Sequence, residues 1–104
     1  MTALSQSRVR HSVAFTLRHA DGSPEAASFL DALASLEAID GVEEFQVLSE
    51  VSPKNSYRYG ASMEFASQVA YDRYTASPEH VEFVRDRWDA EVTDFIEIDF
   101  AQLG

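Results

Sequence analysis

The chain has no cysteine, three prolines, four glycines and only eight basic residues among 104. Without cysteine, disulfide staples and thiolate metal sites are excluded. Eight Lys and Arg against eighteen Asp and Glu leave a net charge of −10, which opposes nucleic acid phosphates and anionic lipid, so no nucleic acid or membrane partner is expected. No apolar run approaches the roughly 18 residues needed to span a bilayer. The opening MTALSQSR lacks the basic-then-apolar pattern of a secretion signal, which leaves the cytoplasm as the expected compartment. What is present is a 45% hydrophobic and 12% aromatic composition, enough for one core and incompatible with disorder. Residues 1–7 read as a flexible leader and residues 8–104 as a single domain.

Along the chain, Val9, His11, Val13, Phe15 and Leu17 alternate with Arg10, Ser12, Ala14, Thr16 and Arg18, which defines a first strand. An imidazole on the apolar face of a strand needs a hydrogen-bond partner or costs about 1–3 kcal/mol. Either the core satisfies His11 or a pocket uses it. Ser23-Pro24 is a helix start, and the helix runs to Asp40-Gly41 with Ala26, Phe29, Leu30, Leu33 and Leu36 at helical spacing. Phe29 and Leu33 are candidates for a cavity wall shared with His11.

Residues 42–51 read as a second strand, with Phe45 and Val47 on one side, and residues 57–65 as a third, joined through SPKNS as a hairpin. Ser67 can cap a helix over QVAYDRYTA. In the closing strand TDFIEIDF, Ile96, Ile98 and Phe100 are expected against the helices, and Phe95 and Glu97 on the other sheet face with Leu48. The order β-α-β-β-α-β fits an α+β ferredoxin-like plait, one four-stranded antiparallel sheet with helices on one face.

The step at Ser77-Pro78 breaks the second helix. Proline fixes φ and pushes Ser77 out of the helical region; Ser77 then caps a new helix in which His80 lies in the first turn. The positive end of the helix disfavours imidazolium, so His80 is expected as a neutral ring able to accept a proton. Val81, Val84, Trp88 and Val92 form the expected inward stripe of that helix.

The stretches VRHSVAFTLR, SPKNSYRYGASMEF, YTASPEHVEF and FIEIDF together resemble the stress-responsive A/B barrel (Dabb) family over nearly the whole domain. The resemblance implies a homodimer in which two sheets pack face to face as a dimeric α/β barrel. It also raises His11, Tyr74 and His80 together, because these match three residues that share a pocket in a plant member, where the tyrosine and the later histidine act in an aldol-type polyketide cyclisation. In that role His80 is the base, Tyr74 the hydrogen-bond donor to a developing oxyanion, and His11 a further polar group of the pocket. Ser77 stands where the family usually has a further histidine. Val13, Phe15, Phe29, Leu33 and Ser77 are the expected pocket residues, and the expected ligand is a small organic molecule. No cofactor is expected, and no metal, since the histidines are not at ligand spacing. Two other readings stay open: a non-catalytic structural or stress-associated dimer, and a cofactor-free oxygenase by analogy of fold alone.

Overall fold

Val9–Leu17 form β1, and its odd-numbered residues are buried throughout, as the alternation requires. The computed structural model describes residues 7–103, so the leader expected over 1–7 lies, apart from Ser7, outside the described residues. Helix α1, Pro24–Ala34, starts where Ser23 accepts a hydrogen bond from the Ala26 amide at 3.1 Å. It tightens into a 3-10 turn over Ser35–Ala38, and Gly41 takes a φ of 91° to turn the chain into β2, Glu43–Ser49. Strand β3 is Tyr59–Phe65, two residues shorter at its start than the alternation suggested, because Tyr57 and Arg58 belong to the connecting loop.

Ser67 caps α2, Gln68–Ala76, through the Ala70 amide at 3.2 Å. Helix α3, Pro78–Phe83, continues through a π-helical turn, Val84–Trp88, and a last turn, Asp89–Glu91, into β4, Val92–Ala101. The four strands lie in the order β2-β3-β1-β4, all pairs antiparallel, which is the α+β ferredoxin-like plait. The core lies between sheet and helices. Phe15 is at its centre, with Phe29 and Trp88 at ring distances of 5.7 and 5.1 Å. Fully burying such a side chain contributes about 1.5–3 kcal/mol.

Two expectations are corrected. Val81 is exposed, and Phe83 takes its place in the core, because the wider π-helical turn rotates the stripe on the helix. The faces of β4 are the reverse of those expected. Residues directly opposite in an antiparallel ladder share a face, and β1 pairs Phe15 with Phe95, Val13 with Glu97 and His11 with Asp99. Phe95, Glu97 and Asp99 therefore lie on the helix side. Ile96, Ile98 and Phe100 lie on the outer face, which they share with Leu48 of the opposite edge strand, with Ile98 43%, Phe100 51% and Leu48 44% exposed. The outer-face arginines find partners within the chain: Arg8 and Arg10 both reach the Glu64 carboxylate at 3.1 Å.

Candidate functional site

The helix break brings Tyr74 and His80 together. Ser77 ends α2 by donating its hydroxyl proton to the Tyr74 carbonyl at 2.8 Å, and the same oxygen accepts from the His80 amide at 3.3 Å. The His80 ring then lies against the Tyr74 ring, with centroids 4.6 Å apart. His80 Nδ1 donates at 3.0 Å to the carbonyl of Thr75, one of those that the end of α2 leaves open. A carbonyl only accepts, so the proton is fixed on Nδ1, and Nε2 of the neutral ring keeps its lone pair. Burial pushes the His80 imidazole below its ordinary value; the Thr75 carbonyl and Glu97 oppose this, and His11 adds to it. Desolvation is thus the largest of these causes of the neutral state.

Tyr74 and His80 share a cavity of about 260 Å³ between sheet and helices with His11, Val13, Leu33 and Glu97. Tyr74 is only 2% exposed, and its hydroxyl has no hydrogen-bond partner among the described residues. No side-chain polar atom among them is both fully buried and unpaired, so this hydroxyl is reached from the cavity. Burial, then the charge of Glu97, pushes the phenol pKa up, so Tyr74 stays a proton donor at neutral pH.

His11 has its own partners. Its Nδ1 donates to Asp99 Oδ1 at 2.6 Å, and the Tyr71 hydroxyl donates to the same carboxylate at 3.0 Å. Tyr71 also stacks on Phe65, with centroids 5.0 Å apart, which ties α2 to the sheet. The carboxylate fixes the Nδ1 proton and the ring orientation of His11, in the manner of a carboxylate behind a histidine base.

The structure thus brings His11, Tyr74, His80, Val13 and Leu33 to one cavity. Phe15 and Phe29 do not line it; both are wholly buried in the core beneath. Ser77 faces a larger open groove on the helix side, of about 650 Å³, which contains none of His11, Tyr74 or His80. Asp99, Tyr71 and Glu97 were not foreseen. The signal available for Asp99 was the buried histidine itself, which needs an acceptor, together with the acidic residues that alternate along β4. Among the described residues no three His, Asp or Glu side chains converge as a metal-ligand set.

The family model for the stress-responsive A/B barrel domain matches residues 9–102. The chain belongs to that family. A Dabb-family protein with a ferredoxin-like fold from Mesorhizobium loti is 54% identical, with a TM-score of 0.92 over 95% of this chain and all of that one. A hydroxynitrile lyase from Passiflora edulis superposes with a TM-score of 0.82 at 13% identity, covering 95% of this chain and 96% of the lyase. A dimeric ferredoxin-like protein of unknown function from Thermobifida fusca gives 0.75 at 16% identity, covering 96% and 95%. These last two likenesses are of fold. No curated protein matches the sequence. No helix among the described residues of this Dabb chain is long and apolar enough to cross a membrane.

The depressed His80 pKa makes stability depend on pH. The unfolded chain takes up this proton near 6.5, before the folded protein does. The contribution of His80 to stability is therefore complete above that pH and declines as pH falls from there through the lower folded value. Urea unfolding of wild type and His80→Gln at about pH 7 and about pH 5 isolates it. Wild type is expected to lose more stability on acidification than the variant; equal losses would contradict the buried neutral ring.

Proposed function

We propose that this Dabb-family protein binds a small organic ligand in the cavity between sheet and helices and carries out acid–base chemistry on a carbon acid, as a cyclase or lyase. The observation behind this reading is the Tyr74 hydroxyl, open to the cavity without a protein partner and beside a neutral histidine whose Nε2 is free to accept a proton. A phenol O–H that opens on the cavity and is bonded to no protein group is available to a ligand, and a carbonyl oxygen is a suitable acceptor.

In this reading His80 Nε2 removes a proton from a carbon between two carbonyls. The electron pair moves into an enolate, whose oxyanion accepts a hydrogen bond from Tyr74. The enolate carbon attacks a further carbonyl, farther along the same molecule, and the imidazolium returns its proton to the alkoxide formed. The cavity is slightly smaller than the roughly 300–1,000 Å³ of drug-sized sites, which suits a compact ligand.

Supporting a more structural part for His11 is its satisfied bond to Asp99, which Tyr71 shares. If the whole cluster serves only to lock α2 on the sheet, the protein is a non-catalytic dimer. The two readings separate on Tyr74→Phe and His80→Gln. With acetylacetone as a carbon acid, each variant is expected to keep the fold by circular dichroism and to lose at least about 10²-fold in protein-catalysed deuterium exchange at the central carbon. No catalysis by wild type, or rates unchanged in both variants, would sink the enzymatic reading.

The reading includes a homodimer through the outer sheet face. Leu48, Ile96 and Ile98 surround a shallow depression floored by the small residues Ala14 and Gly60, an apolar patch on the face opposite the helices. Exposed apolar patches of this kind mark interaction surfaces, and related proteins of this fold are described as dimeric. Ile98→Glu is expected to convert a dimer into a monomer in sedimentation experiments while leaving the helix-side core unchanged; a wild-type monomer would contradict it.

A further inference from the structure

We infer that the cavity selects its ligand by charge, taking an uncharged carbonyl compound and rejecting the corresponding carboxylate, and that Glu97 sets this preference. The inference rests on the cavity being a ligand site and adds the class of ligand.

Three of the lining residues, Asp89, Phe95 and Glu97, are exposed, and they form the mouth of the cavity. Asp89 comes from the last helical turn and Glu97 from β4, so carboxylates flank the mouth on both sides. No lysine or arginine lines the cavity. The guanidiniums on the neighbouring helical turn are engaged elsewhere, Arg87 with Glu91 and Arg85 with Asp86, and Glu97 has no cationic partner among the described residues.

Inside, Tyr74 and His80 offer a ligand no charge, and the other histidine of the lining, His11, is bonded through Nδ1 to Asp99. Tyr74 presents a phenol O–H with no protein partner, and His80 is held neutral. Both suit a carbonyl oxygen and an acidic C–H. A carboxylate entering here gives up its hydration and finds no cation in return, after passing between two like charges. The influence of Glu97 reaches the reacting groups, since its charge acts on both Tyr74 and His80. The same carboxylate stabilises the imidazolium that forms when His80 takes up a proton, so it favours the proposed step while excluding anions.

Acetylacetone and acetoacetate test this directly, because they have the same number of heavy atoms and differ by one negative charge at neutral pH. Binding is followed by NMR shifts of the Tyr74 and His80 rings in wild type, Glu97→Gln and the remote control Asp31→Asn. Wild type is expected to bind acetylacetone about tenfold more tightly than acetoacetate at low ionic strength, with the gap narrowing as salt is added. Glu97→Gln is expected to narrow the gap by strengthening acetoacetate alone, and Asp31→Asn to leave it unchanged. Acetylacetone binding without a gap, a gap that survives Glu97→Gln, or one that Asp31→Asn closes equally would overturn the charge selection while leaving the ligand site standing. If neither compound moves either ring, the ligand site itself falls, and the charge selection with it.

Discussion

The pairing of His11 with Asp99 across the β1–β4 ladder is the constraint on which the rest depends. The two residues are direct opposites in the register, and the Nδ1 proton of one is held by the carboxylate of the other at 2.6 Å. Because side chains alternate with a period of two, fixing one pair fixes the side chains from Asp94 to Ala101; before Asp94 a bulge shifts the register and sets Val92 opposite Leu17. Asp99 on the helix side puts Glu97 and Phe95 there as well, at the mouth of the cavity, and turns Ile96, Ile98 and Phe100 outward. A slip of one residue would exchange the two sets. Isoleucines would fill the cavity, the carboxylates would cover the outer face, and His11 would lose its acceptor at a cost of about 1–3 kcal/mol. The same ladder thus shapes a polar-edged cavity on one side and an apolar patch on the other.

The second constraint is local. Ser77 and Pro78 end one helix and start the next within a single residue, and Ser77 serves both ends through one hydroxyl. The break allows His80 to fold back on Tyr74 and to bond the Thr75 carbonyl, which a continuous helix would have bonded to its own amide. Serine thus has a structural task here and lies outside the cavity. The π-helical turn that follows brings Val84 and Trp88 to the cavity wall and leaves Val81 in solvent.

Much of the plait was legible because its signals are local. The serine caps, the proline starts, the alternation of β1 and the break at Ser77-Pro78 can each be read from a few neighbouring residues, and the family resemblance pointed to the same architecture. The site was legible where motif and local chemistry coincide, at Tyr74, His80 and His11. It was not legible where it depends on which face of β4 turns inward. Alternation gives two faces without saying which is buried, and the apolar set Ile96, Ile98 and Phe100 took precedence over the polar one. A burial rule for a lone chain favours the isoleucines, and a strand whose outer face is itself apolar defeats that rule. Phe15 and Phe29 were placed in the pocket wall for a related reason, since helical or strand spacing marks a residue as core-facing without saying whether it fills the core or borders a space.

The proposed chemistry depends on His80 being a neutral, Nδ1-protonated imidazole open to the cavity beside a free Tyr74 hydroxyl. Nitrogen-15 NMR of the histidine rings tests it most directly, with the His80 resonances assigned by mutation and followed through a pH titration with and without acetylacetone. Expected are the Nδ1–H tautomer at neutral pH, a midpoint below the ordinary 6.5, and an Nε2 signal that moves on adding the ligand and changes in Tyr74→Phe. A ring charged at neutral pH, the opposite tautomer, or an Nε2 signal indifferent to both ligand and phenol would contradict it.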